Sequence, residues 1–97
     1  MSERWWQKEV VTYAHKHGWM AYHALPARRG ERYVTAMMGD SGFTDWCFAR
    51  DGVILLVELK KVGQRPDAGQ RLWLKAAGAF GFCWTPADRA IMEATLS

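Results

Sequence analysis

Cysteine is scarce in this chain of 97 residues, which has two, Cys47 and Cys83. They stand in apolar surroundings, Asp-Trp-Cys-Phe and Gly-Phe-Cys-Trp, without a CxxC spacing or the paired histidine of a zinc site. That excludes a disulfide framework and leaves both expected as buried free thiols of a reduced, cytoplasmic compartment. Long apolar runs are missing as well. Val53 to Val57 falls far below the roughly 20 residues of a membrane span, and the N-terminus opens with charges, so no membrane association is expected. There is no internal repeat and no low-complexity segment. Neither sign of charge dominates: 13 Lys and Arg against 10 Asp and Glu leave +3, which permits a polyanionic partner without requiring one.

What is present is a 49% hydrophobic composition with six tryptophans, enough for one core and too little for two. A single domain over residues 1–97 is expected, and at this size a homodimer that covers more apolar area is a natural addition.

Trp6, Val10, Tyr13, Ala14 and His17 recur at three- and four-residue steps between Ser2, a helix cap, and Gly18, a stop; this predicts a first helix. Trp19 to Leu25 reads as a strand. Pro26 to Gly42 is a basic loop with room for a short strand at Tyr33 to Met37. Phe43 to Arg50 and Val53 to Lys60 are two strands joined by Asp51-Gly52, a dipeptide suited to the positive φ angles of a type I′ turn. Asp67 caps a second helix ending near Phe80, Phe82 to Thr85 forms a strand, and Thr85-Pro86-Ala87-Asp88 opens a last helix. The order helix, three strands, helix, strand, helix predicts an α/β sandwich around a mixed sheet.

Counting outward from a two-residue turn pairs Arg50 with Val53, Cys47 with Leu56 and Asp45 with Glu58. Side chains alternate along a strand, so Lys60 shares a face with Glu58. Two carboxylates about 5 Å apart, beside the apolar face of Ile54 and Leu56, repel each other and need a neutralising partner. A divalent cation such as Mg²⁺ serves, since it takes one or two carboxylates and keeps water for chemistry, while a neighbouring lysine offsets charge on a phosphate. The plainer alternative is a set of ordinary strand charges flanking a turn.

The stretches Gly42-Phe43-Thr44-Asp45, Val57-Glu58-Leu59-Lys60 and Gly69-Gln70-Arg71-Leu72-Trp73-Leu74 resemble the VRR-NUC family of the PD-(D/E)XK nuclease superfamily. The similarity extends to Ser2-Glu3 and Gln7, Gly18-Trp19, His23, Trp84 and Pro86. It implies the restriction-endonuclease-like fold, with Asp45, Glu58 and the carbonyl of Leu59 holding Mg²⁺ or Mn²⁺, Lys60 assisting water, and no organic cofactor. Thr44 departs from the family's usual proline, and Trp46 from a small aliphatic residue.

The resemblance also places a first-helix acid at Glu3, reaching the metal through water. Helical phase agrees, because Gln7, Val10 and Ala14 lie within about 40° of Glu3 while Glu9 is turned about 120° away; an acid that merely complements the helix dipole is the other reading. Gln70 is either an amide that holds the lysine or a phosphate, or a first-turn polar residue. His23, Arg28, Arg29, Arg32, Lys61 and Arg65 are candidates for touching DNA, against a structural histidine and solvated loop charges. Trp6, Trp73 and Trp84 sit at core phases; Trp5 does not, and a dimer surface is one use for it.

The expected function is a structure-selective DNA endonuclease resembling Holliday-junction resolvases, a homodimer on branched DNA, of phage or prophage origin in a bacterial cytoplasm. The alternatives are a nuclease for flaps, single strands or duplex, and an inactive DNA-binding or assembly protein.

Overall fold

The structure is a computed structural model describing residues 2–24, 27–29, 32–34 and 38–97. Helix α1 (Glu3–Lys16) begins where Ser2 accepts the Trp5 N–H on its hydroxyl and ends before Gly18, whose φ of 84° turns the chain into strand β1 (Met20–His23). Two short strands follow, β2 (Ala27–Arg29) and β3 (Arg32–Val34), paired antiparallel in a sheet of their own. The stretch expected as a loop thus folds back on itself as a hairpin, and its second strand starts at Arg32. Residues 35–37, the rest of the strand expected there, lie outside the described residues.

The main sheet has the order β1, β4 (Trp46–Arg50), β5 (Val53–Leu59), β6 (Gly81–Trp84). Its first two pairings are antiparallel and β5 with β6 is parallel, which makes the expected mixed sheet. The turn at Asp51-Gly52 has φ of 51° and 80°, and it sets Arg50 opposite Val53 and Cys47 opposite Leu56, as counted from the sequence. Helix α2 (Ala68–Ala77) is capped by Asp67. A turn at Pro86–Asp88, capped by Thr85, leads into α3 (Arg89–Leu96). No helix among the described residues is long and apolar enough to cross a membrane.

The two faces of the sheet differ. Trp46, Phe48, Leu55, Val57, Leu59 and Trp84 point to one side and are buried with Trp6, Val10 and Ala14 of α1 and Met92 and Leu96 of α3. Helix α2 contributes nothing to that cluster and packs along β5 and β6. The opposite face carries Ile54, Leu56, Glu58 and Cys83. This corrects one expectation: Ile54 is 60% exposed, so the water-poor apolar face is the one bearing Leu55 and Val57. The alternation was right, but which side the helices cover is decided by α1 and α3, outside the hairpin.

Arg50 closes the far end of the fold. Its guanidinium donates to the carbonyls of His17 (2.9 Å), Leu96 (3.3 Å) and Ser97 (3.2 Å), and lies 4.4 Å from the centre of the Trp19 ring. Arg50→Ala is expected to cost roughly 2–3 kcal/mol, because charged hydrogen bonds and a cation–π contact are lost together. Urea unfolding should record this as a lower midpoint with an unchanged slope.

Candidate active site at the open end of the hairpin

Glu58 lies near the end of β5 with no exposed surface, across the parallel ladder from Cys83. One carboxylate oxygen, Oε1, accepts the main-chain N–H of Asp45 at 2.7 Å. The other, Oε2, has no hydrogen-bond partner among the described residues and lies 3.5 Å from Lys60 Nζ, close enough for an ion pair. Burial raises the Glu58 pKa from 4.5 to about 7; the Asp45 N–H opposes the rise, the Asp45 charge adds to it, and Lys60 pulls it back. A buried acid left half-satisfied is costly.

The Asp45–Glu58 pairing expected from the turn takes a different form. The ladder ends at Trp46 opposite Val57, and Asp45 stands just outside it. Its carbonyl remains in the sheet, accepting from the Ala24 N–H at 2.9 Å, while its N–H leaves the ladder for the Glu58 side chain. The two acids are therefore joined through a main-chain amide. Thr44, which is 1% exposed, donates its hydroxyl to the Trp46 carbonyl at 3.2 Å and so shapes the bend by a side-chain bond.

Two glycines seat this approach on α2. Gly42 has φ of 83°, and a Cβ there would fall 2.7 Å from Gly69 Cα. Around that contact Trp73 donates its indole N–H to the Ser41 carbonyl at 3.1 Å, and Phe43 meets the Trp73 ring edge-on at 4.9 Å. The Gly-Phe-Thr-Asp and Gly-Gln-Arg-Leu-Trp stretches are thus two halves of one joint. Gln70, buried beside it, accepts the Asp67 N–H on its amide oxygen at 3.1 Å while its own N–H donates to Asp67 at 2.8 Å. Its side-chain oxygen is committed to capping α2, the plainer of its two sequence readings.

Leu59 points into the core, 2% exposed, and pairs with Trp84. The main-chain N–H of Lys60 and the indole N–H of Trp6 both donate to the Trp84 carbonyl, at 3.0 and 2.9 Å. Glu3 is half-buried in the first turn of α1, and the charges that act on Glu58 are those of Asp45 and Lys60. Glu9 is bound to Arg89 at 3.0 Å on the α3 side, leaving Glu3 as the first-helix acid not committed to that bridge. Among the described residues no cluster of three or more His, Cys, Asp or Glu side chains is gathered.

His23 stacks on Trp46 with ring centres 4.1 Å apart and planes 9° from parallel. Together they line a groove of about 370 Å³ with Arg4, Gln7, Lys8 and Thr12 on α1. Lys61 and Arg65 are exposed in the loop after β5. Arg28, Arg29 and Arg32 are placed on the small hairpin by their backbone, Arg29 opposite Arg32, and their side chains lie outside the described residues.

Both cysteines are free but half-buried, a correction to full burial. Burial raises both thiols' pKa values, and the Glu58 charge adds to the effect at Cys83. Trp6 and Trp84 are core residues as expected, whereas Trp73 is half-buried at the rim of a second groove with Tyr22 and Phe43. Sequence reasoning missed Tyr22 and Phe43 in this setting, because the groove exists only once β1, the Asp45 approach and α2 are assembled. Arg4 and Lys8 were missed as well, although a basic pair four residues apart on a helix was a signal that could have found them. The chain matches no protein-family model, no curated protein and no solved structure in comparisons with each.

Proposed function

We propose that this protein is a metal-dependent nuclease that hydrolyses DNA phosphodiesters at Asp45, Glu58 and Lys60. The observation that carries the reading is the buried Glu58 carboxylate beside Asp45 and Lys60, whose Oε2 lacks a hydrogen-bond partner among the described residues. Such an oxygen fits a cation: two carboxylates with a main-chain carbonyl are a hard-oxygen donor set of the kind Mg²⁺ or Mn²⁺ takes. Asp45, Glu58 and the Leu59 carbonyl would hold it, with Glu3 reaching it through water. When bound, the cation supplies Lewis acidity toward water and neutralises phosphate charge.

Lys60 stands 3.5 Å from Glu58 and its side chain is 17% exposed, so its charge serves two anions, the carboxylate and an arriving phosphate. Glu58 fixes the Asp45 backbone through the 2.7 Å bond and so orients the second carboxylate. The groove bearing Arg4, Lys8 and His23 lies beside Trp46, next to Asp45 in the chain, and suits the phosphate backbone on either side. The likeness to junction resolvases makes branched DNA the first substrate to try and a homodimer the expected working form. The same likeness gives the PD-(D/E)XK fold, a VRR-NUC assignment and a phage or prophage setting in a bacterial cytoplasm as parts of the proposal.

The test incubates purified protein with labelled four-way junction, flap and linear duplex in Mg²⁺, Mn²⁺ or EDTA. Cleavage is expected with metal only, and Asp45→Ala and Lys60→Ala are each expected to lower it by at least about a hundredfold while circular dichroism stays native. Equal cleavage of all three substrates would discard the resolvase reading and keep the nuclease. Cleavage that survives EDTA or both substitutions would discard the site. Sedimentation at assay concentration checks the homodimer.

A further inference from the structure

We propose that the aromatic groove beside Asp45 is a subsite for an unpaired nucleobase, so that the bond cut lies next to a base outside the duplex. This rests on the nuclease reading and names the substrate feature it requires. The groove has a volume of about 630 Å³, within the range of ligand pockets, and Asp45 itself forms part of its wall. Tyr22 from β1, Phe43 from the approach to Asp45 and Trp73 from α2 supply three rings.

These rings present apolar surface to solvent. Tyr22 is 65% and Phe43 44% exposed. Trp73 has its one polar atom committed to the Ser41 carbonyl, so what it offers a ligand is the face and edge of the indole. The charges settle what kind of ligand fits. The ionisable acids and bases among the described lining residues are Tyr22, Asp40 and Asp45, with no lysine, arginine or histidine, so the groove offers no cationic side chain to a phosphate of its own. On the other face of the same strand ends, Arg4, Lys8 and His23 line the groove that runs along α1. Flanking phosphates belong on that side, and a flat, uncharged base on this one, beside the bond cut at Asp45.

A paired base cannot reach such a groove. Its π face is covered by stacking in the duplex, and exposing it costs energy that a mismatch, flap or branch point has already spent. Stacking on aromatic side chains is tolerant of base identity, which fits recognition of structure without recognition of sequence.

The experiment measures binding separately from cleavage. Fluorescence anisotropy with the full chain in Ca²⁺ compares labelled dT12 with an oligonucleotide of equal length made of abasic units. Native protein is expected to bind dT12 about tenfold more tightly. Tyr22→Ala should bring dT12 down to the abasic value without changing abasic binding, and Tyr22→Trp should restore the difference. Equal binding of the two by native protein, binding of neither, or a Tyr22→Ala loss equal for both would overturn the subsite. Failure here is distinguishable from failure of the nuclease: protein that cuts DNA yet ignores the bases sinks only the subsite, and protein that prefers bases yet never cuts sinks the nuclease, and with it the adjoining cut, while leaving a base-binding groove.

Discussion

Glu58→Gln is expected to yield a protein that is more stable than the native one at pH 8 without metal and that, on the proposed function, lacks metal-dependent DNA cleavage. Glu58 has a folded pKa of about 7 against 4.5 when unfolded. The folded state therefore holds the proton more tightly, and the stability this confers is complete below pH 4.5 and is lost as pH rises through 7. A shift of that size corresponds to roughly 3 kcal/mol. Glutamine cannot ionise, and its amide oxygen can still accept the Asp45 N–H, so the variant keeps its stability across that window. At pH 4.5 the two proteins should unfold together; at pH 8 the variant should hold to higher urea. Adding Mn²⁺ at pH 8 should raise the midpoint of the native protein and leave the variant where it was. Coincident stability profiles from pH 4.5 to 8 would remove the argument that Glu58 is an acid held at a cost for binding a cation.

The second large effect is expected at a residue with no side chain. A Cβ at Gly42 would lie 2.7 Å from Gly69 Cα and 2.8 Å from its carbonyl carbon, backbone that cannot swing aside, on a residue whose φ of 83° already disfavours alanine. Gly42→Ala must push the Asp45 approach off α2. Displacing a catalytic group by about 1 Å costs on the order of a hundredfold in rate, and cleavage should fall by at least that much. Gly52→Ala is the control, because Gly52 has a φ of 80° but open space around it. It should lose about 1 kcal/mol of stability from the backbone term alone and keep its activity. Equal activity losses in the two variants would mean that strain, and not the Gly42–Gly69 contact, is what matters.

Much of this arrangement was legible in the residues. The Asp51-Gly52 turn fixed the register by counting, the caps at Ser2, Asp67 and Thr85 marked where helices and turns begin, and Glu58 and Lys60 fell on one face by alternation alone. What could not be read was decided at longer range. The face that α1 and α3 cover depends on where the two helices dock, so the hydrophobic side of β5 was assigned to Ile54 when it belongs to Leu55. Asp45 was one step beyond the ladder because its N–H had an alternative acceptor, the Glu58 side chain, which no strand pattern registers. Gln70 sits three residues after Asp67, and that spacing identifies a capping box as readily as a site residue; its amide oxygen takes the capping role. Tyr22 carried no signal, since a tyrosine on an edge strand becomes part of a groove only when Phe43 and Trp73 arrive from elsewhere in the chain.

The Trp84 carbonyl gives the first helix a mechanical role. Its oxygen takes the Lys60 main-chain N–H and the Trp6 indole N–H together, so α1 and the lysine's strand hang from one atom on β6. A tilt of the helix is transmitted to the lysine's seat through two bonds, with no flexible loop between them. The N-terminal turn is thereby fixed to the strand that carries Lys60, and on the proposed function a phosphate strand held by Arg4 and Lys8 would bear on the same atom that keeps Lys60 in register.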